Sequence, residues 1–206
     1  MEQDELRNRL ARLAAYRASA TPGAAVLIPI VSEAEGPAVV LEVRAFDLDI
    51  QPGDVCLPGG HVEEGETPAQ AVVRETCEEL LVEESQIELL ADLGNIAGPG
   101  GRPLQVFVGL LHGYQGDFSP DEVDRTFCLP LSWLLTHEPT FYDVELAPSF
   151  PDDFPWERIH GGRNYPWRSQ HNLVPFYLET HPLVWGATAR VLWRFSQMMS
   201  EVRPLT

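Results

Sequence analysis

The apolar residues of this chain fall into short runs bounded by Gly and Pro, with one well-marked helix among them. "AAVLIPIV" (Ala24–Val31) and "PAVVLEVRAF" (Pro37–Phe46) are rich in β-branched residues and predict two strands, joined by a turn through Glu35, Gly36 and Pro37. "QPGDVCLPGG" predicts a turn, a short strand and a second turn. "IELLADLGNI" and "LQVFVGLLHG" predict two further strands, with the Gly/Pro segment Ala97–Pro103 as the hairpin loop between them. A short strand near Thr126–Cys128, a turn of helix at Leu131–Leu135, a strand over "LVPFYLE" and a final helix from about Leu183 to Val202 follow. At the other end, residues 1–20 predict an amphipathic helix with Leu6, Leu10, Leu13 and Tyr16 along one stripe. Mixed strands and helices without steady βαβ alternation predict an α+β fold, an α/β/α sandwich forming one domain over residues 1–206. The segment Pro139–Asn172 is dense in Pro, Gly and aromatics and too long for a plain connector, so it reads as an insertion.

Composition narrows the function. The chain has 206 residues, 44% hydrophobic and 22% charged, enough to bury a core. Its formal net charge of -17 argues against a nucleic-acid partner, because phosphate backbones favour a basic footprint. A phosphorylated small molecule remains compatible, since a divalent cation held by carboxylates reverses the local field. No run approaches the length of a membrane span, and the N-terminus has no apolar signal-peptide core, so neither a membrane partner nor secretion is expected. Three cysteines, Cys56, Cys77 and Cys128, lack zinc-site spacing and are odd in number, which points to a reducing cytoplasm. Each sits among apolar neighbours and reads as a small core residue.

The chemistry concentrates in "CLPGGHVEEGETPAQAVVRETCEELLV" (Cys56–Val82). Thr67 is a good N-cap, Pro68 suits the first helical position and Gln70 completes a capping box. At 100° per residue, Glu78 and Glu79 fall within about 60° on either side of Glu75. Ala69, Val73, Thr76, Cys77 and Leu80 lie on the opposite side, toward a core. Three glutamates at i, i+3 and i+4 repel one another unless a cation joins them, and hard divalent cations prefer carboxylate oxygens. A merely solvated acidic face is the plain alternative.

The surrounding pattern favours the first of these through a resemblance. Gly60, Glu66, Arg74, Glu75, Glu78 and Glu79, closed by Val82, stand in a pattern that resembles the Nudix box of the Nudix hydrolase superfamily. One departure is that Leu81 replaces the family's late glycine, which leaves the end of the helix open to question. The resemblance implies a Nudix-type α/β/α sandwich with the box as a loop-helix-loop, and metal-dependent hydrolysis of a nucleoside diphosphate derivative. It implies Mg²⁺ or Mn²⁺ on Glu75, Glu78 and Glu79, with Arg74 orienting a glutamate and Glu66 supporting the site. The Gly59-Gly60 backbone would turn beside the phosphates. In "SPDEVDRTFCLPLSWLL" an acidic loop precedes a strand, similar to a later Nudix stretch, and offers Glu122 as a base, with Asp121 and Asp124 behind it.

Upstream, Arg44, Gly53, Val55, Cys56 and Pro58 resemble the coenzyme A diphosphatase subgroup, as does the final helix around Trp185-Gly186 and Thr188-Ala189. The subgroup's Leu-Arg-x-His element is replaced by Leu48-Asp49-Ile50-Gln51. That likeness implies cleavage of coenzyme A into adenosine 3',5'-bisphosphate and 4'-phosphopantetheine. Another Nudix substrate (ADP-ribose, a nucleotide sugar or a damaged nucleotide) and a non-catalytic nucleotide-binding module are the rival readings. Within the insertion, Arg163 and Arg168, among Trp156, Arg158, Tyr165, Trp167 and His171, are candidates for holding substrate; an ordered packing loop is the alternative. Small and aromatic residues on the final helix fit core packing or a homodimer contact.

Overall fold

The computed structural model describes residues 23–97 and 103–201. The expected N-terminal helix over residues 1–20 and most of the Ala97–Pro103 loop lie outside the described residues.

Two apolar strands, β1 (Ala24–Glu33) and β2 (Gly36–Arg44), form the centre of the main sheet. β3 (Val55–Cys56) and β4 (Gly59–His61) are short strands on either side of Pro58. After helix α1 (Pro68–Leu80) come β5 (Ile87–Ala97), β6 (Pro103–Leu111) and β7 (Val123–Pro130). The main sheet runs β3-β2-β1-β6-β5, with β4 added to β1 and β7 to β2. β1 and β6 are parallel and the other pairs antiparallel, so the sheet is mixed. A short helix α2 (Leu131–Leu134) leads to a second, antiparallel sheet of β8 (Thr140–Leu146), β9 (Gln170–Tyr177) and β10 (Val184–Trp185). Helix α3 (Gly186–Glu201) closes the described chain.

Alternation along the strands explains the layers. Ala25, Leu27, Ala38, Val40 and Phe107 face α1, where Val72 and Leu80 meet them. Ile28, Val39, Leu41, Val43, Val106 and Val108 face the other way, onto Ala189, Val191, Leu192 and Phe195 of α3 and Tyr177 of β9. Because both faces are covered, the central strands read as continuous apolar runs. The α/β/α sandwich with a mixed sheet is the fold the sequence predicts.

Three expectations change. Residues 139–172 are not wholly irregular: β8 pairs with β9 from Thr140↔Phe176 to Leu146↔Gln170, leaving a loop with two short 3₁₀ turns. The final helix begins at Gly186 rather than Leu183, because Val184 and Trp185 are taken up pairing with Tyr177 and Phe176. The cysteines are not fully buried: Cys56 is half-buried, Cys77 is half-buried but packs against the Val40 and Leu80 cluster, and Cys128 is exposed on β7.

Candidate active site

The loop into α1 is held by backbone contacts that only glycines permit. Pro58 carbonyl accepts from the Leu27 N–H at 2.9 Å, drawing the chain against β1. Gly59 has φ +144°, and a Cβ there would lie 2.7 Å from Val26 Cα; one on Gly60 would lie 2.7 Å from Glu75 Oε2. β4 therefore fits between β1 and the acidic face of the helix.

The helix starts as its sequence predicts. Gln70 N–H donates to Thr67 Oγ1 at 3.3 Å, Thr67 N–H donates to Gln70 Oε1 at 3.0 Å, and Pro68 occupies the first turn. It also ends where the family pattern would end it. Leu81 takes the left-handed conformation (φ 51°, ψ 44°) that glycine normally supplies, with its side chain 57% exposed, while Val82 turns back into the core.

Arg74 is the hub of the solvent side. Its Nε and Nη2 grip both oxygens of Glu66 at 3.1 and 3.2 Å, and Nη2 also reaches the His61 carbonyl at 3.1 Å. Its Nη1 lies 2.9 Å from Glu75 Oε1 and 3.2 Å from Glu78 Oε2. The guanidinium fork thereby ties the loop to the helix, a geometry a lysine does not offer. Arg74 holds the Glu66 carboxyl below the ordinary carboxylate range.

Among the described residues, no arginine or lysine forms an ion pair with the inner side. Glu79 is 4% exposed, and its Oε2 accepts the Gly59 N–H at 2.8 Å. The sequence wheel set Glu79 on an outer acidic face; the buried residues of the helix are instead Ala71, Val72, Thr76, Glu79 and Leu80, so Glu79 points inward at the edge of the core. Burial raises its pKa well above the usual carboxylate value, followed by the nearby charge of Glu42 and, after partial relief from the Gly59 N–H, by Glu75 and Glu122. Burial likewise raises Glu75, with Arg74 opposing.

Glu42, on β2, is the site residue that sequence reasoning missed. It is fully buried, its Oε2 accepts the Cys56 thiol at 3.6 Å, and burial raises its carboxyl strongly. The signal was a lone charge inside the apolar run "VVLEV".

Glu122 comes to the same place from the β6–β7 loop. Ser119 N–H donates to the Glu79 carbonyl at 2.8 Å, and Ala45 N–H donates to the Glu122 carbonyl at 2.9 Å. The Glu122 charge helps raise Glu42, Glu75 and Glu79. Asp124 is turned to Arg125 at 2.7 Å. Arg44 sits at the same edge, its Nε donating to the Ile50 carbonyl at 3.2 Å and its charge easing Glu42. Arg163 lies instead 5.3 Å over the Trp156 ring, in an aromatic cluster with Phe150, Phe154 and Trp167, and Arg168 is exposed. Among the described residues, no hydrogen bond or ion pair joins either arginine to the box.

Among the described residues, no three His, Cys, Asp or Glu side chains are arranged to enclose a metal ion. Glu78 is turned outward to Arg74 and Glu79 inward to Gly59, so the three box glutamates do not converge in this arrangement. The donor set nonetheless fits a hard divalent cation in kind: it is all carboxylate oxygen, crowded with like charge, and includes a buried oxygen, Glu42 Oε1, that has no hydrogen-bond partner.

Comparison with known proteins gives the family and the fold. A family model described as NUDIX domain matches residues 21–151. Nudix hydrolase 3 of Caenorhabditis elegans is 28% identical over 178 residues, covering 81% of this chain and 69% of that protein. The peroxisomal coenzyme A diphosphatase of Mus musculus is 30% identical over 129 residues, covering 62% of this chain and 54% of that protein. The crystal structure of a Nudix hydrolase from M. smegmatis superimposes with a TM-score of 0.52 at 18% identity, covering 90% of this chain and 89% of that one, a likeness of fold.

Proposed function

The chain belongs to the NUDIX domain family, and from that premise we propose that its substrate is coenzyme A or an acyl-CoA, cleaved to adenosine 3',5'-bisphosphate and 4'-phosphopantetheine. At the coarser level it is a Nudix hydrolase, a pyrophosphatase acting on nucleoside diphosphate derivatives. The observation that carries the finer reading is the element before the box. Arg44, Gly53, Val55, Cys56 and Pro58 match the coenzyme A diphosphatase pattern, and a relative bearing that name is 30% identical. In support, Arg44 and the 51–54 turn form one unit: Gly53 N–H donates to the Arg44 carbonyl at 3.1 Å and Arg44 N–H to the Asp54 carbonyl at 2.9 Å.

In this reading Glu75, Glu78 and Glu79 hold Mg²⁺ or Mn²⁺. When bound, such a cation neutralises diphosphate charge and makes water more acidic. Arg74, itself fixed by Glu66, orients the Glu75 and Glu78 carboxylates. Gly60 lets the backbone lie close to the diphosphate; the Gly59 N–H is already used by Glu79. Glu122 accepts the proton of the attacking water. Arg44, Arg163 and Arg168 supply positive charge to the nucleotide phosphates. We assign the protein to the cytoplasm; no helix among the described residues is long and apolar enough to cross a membrane.

The test is a product assay with Mg²⁺ and with Mn²⁺ on coenzyme A, acetyl-CoA, ADP-ribose and a nucleotide sugar, read by chromatography. Formation of adenosine 3',5'-bisphosphate from coenzyme A is expected. Cleavage of ADP-ribose with coenzyme A left intact would overturn the substrate assignment while leaving the hydrolase.

A further inference from the structure

Glu42 occupies a position where packing alone favours an apolar residue. Val40 and Leu41 before it and Val43 after it are at most 1% exposed, and Glu42 itself is 0% exposed. Alternation puts it on the face of β2 shared with Ala38 and Val40, the face that α1 covers. Cys56 of β3 and Thr126 of β7 stand directly across from it, so neighbouring strands wall it on both sides. Its Oε2 accepts only the Cys56 thiol, a weak donor, and its Oε1 has no hydrogen-bond partner. No lysine or arginine forms an ion pair with it among the described residues.

Burying a carboxylate oxygen without a partner is costly, and a Val or Thr in this strand would avoid that cost. On the α1 side of the same sheet face Glu79 is buried as well, and Glu42 acts on it more strongly than any other charge. Glu79 has one oxygen committed to the Gly59 N–H, which leaves the other available to a further partner. Two buried carboxylates thus lie within electrostatic reach on one face of the sheet, and among the described residues neither forms an ion pair with a lysine or arginine on that side.

We propose that Glu42 is a metal ligand outside the box, its Oε1 binding a divalent cation held jointly with Glu79. The inference rests on the metal-dependent hydrolase reading above. Such an ion would draw its ligands from β2, through Glu42, and from the C-terminal turn of α1, through Glu79.

The test uses the full chain without substrate. Mn²⁺ is titrated into wild type, Glu42→Gln, Glu42→Val and Glu79→Gln, with free Mn²⁺ followed by electron paramagnetic resonance and melting followed in EDTA. Wild type should bind Mn²⁺. Glu42→Gln and Glu42→Val should weaken a site tenfold or more, while the EDTA melting temperature of Glu42→Val stays level or rises. The valine variant guards against a glutamine that fails to fold. Wild-type Mn²⁺ stoichiometry and affinity in both Glu42 variants, with binding lost in Glu79→Gln, would overturn this inference and leave the hydrolase reading intact. Unchanged binding in Glu79→Gln as well, or no binding by wild type, would remove both.

Discussion

Glu79→Gln should give an enzyme that is more stable and almost inactive. Glutamine keeps the size of the side chain, and its amide oxygen can still accept the Gly59 N–H that Glu79 accepts at 2.8 Å. What disappears is a carboxyl that is 4% exposed and whose ionisation is opposed by burial and by Glu42, Glu75 and Glu122. One unit of pKa displacement corresponds to about 1.4 kcal/mol, and a coupled group carries only part of the cluster's repulsion, so relief is worth about 1–2 kcal/mol. Weakening the charge-assisted bond from Gly59 returns about 0.5–1 kcal/mol of this. The remainder, on the order of 1 kcal/mol, raises the melting temperature of metal-free protein by about 2–4 °C for a domain of this size. Activity moves the other way. Losing a carboxylate that holds the cation removes about 4 kcal/mol of transition-state stabilisation, or about 10³-fold in kcat/KM. The pair of measurements is melting in EDTA and coenzyme A cleavage at saturating Mg²⁺. Activity within a few-fold of wild type would refute the role of Glu79. Activity lost together with a fall in melting temperature would refute the claim that its charge burdens the fold.

Arg74→Lys should lower kcat/KM by about 10–100-fold, because one ammonium cannot span both Glu66 oxygens, the His61 carbonyl, Glu75 and Glu78; steady-state kinetics at several Mg²⁺ concentrations would show it, and unchanged kinetics would contradict the hub. Leu81→Gly should raise the melting temperature by about 1–3 °C, since it relieves a left-handed backbone at an exposed position; a decrease would mean that the leucine side chain contributes packing. Glu42, Glu75 and Glu79 all have carboxyls raised in the folded state, so the folded protein holds protons that the unfolded chain has released. Their stabilisation is present below the ordinary carboxylate pKa of 4.5 and is lost as pH rises through the raised values, so metal-free protein should melt progressively lower as pH increases above that value. Added Mn²⁺ should protect more as pH rises, and scanning fluorimetry with EDTA or Mn²⁺ across that range would expose the reverse trend.

Local signals carried the fold far. Alternating or continuous apolar runs marked the strands, and Thr67, Pro68 and Gln70 marked the start of α1 without any tertiary information. The orientation of that helix was not legible to the same degree. Val72, Thr76, Glu79 and Leu80 form one stripe at i, i+4, i+7 and i+8, while Ala69, Val73, Thr76, Cys77 and Leu80 form another that is more apolar. The choice between them is made by β4, whose Gly60 takes up the space beside Glu75 and turns Val72 and Glu79 toward the sheet. Strand β8 was hidden for a related reason. "TFYDVEL" carries Asp143 and Glu145 on one face and the half-exposed Tyr142, Val144 and Leu146 on the other, so it has no deep core residue to announce it. Glu42 was visible as a letter, but its meaning required knowing that both faces of β2 are covered.

The site compensates its charge unevenly, and the unevenness has a direction. On the solvent side Arg74 meets Glu66, Glu75 and Glu78 with one guanidinium, and water screens what remains. On the sheet side Glu79 and Glu42 have one backbone N–H and one thiol between them, in a place where screening is weak. A fold selected for stability alone would place the arginine inside, or replace the inner pair with apolar residues of similar volume, which is commonly neutral or favourable. The observed arrangement keeps the fixed cation outside, where it organises the loop, and leaves the inner carboxylates short of positive charge. An exchangeable ion would meet its largest unmet demand there, and on the proposal above its binding would recover the stability given up at Glu42 and Glu79. The same uncompensated pair would draw the cation, and any diphosphate bound to it, toward the double glycine, where the backbone has no side chains to obstruct the approach.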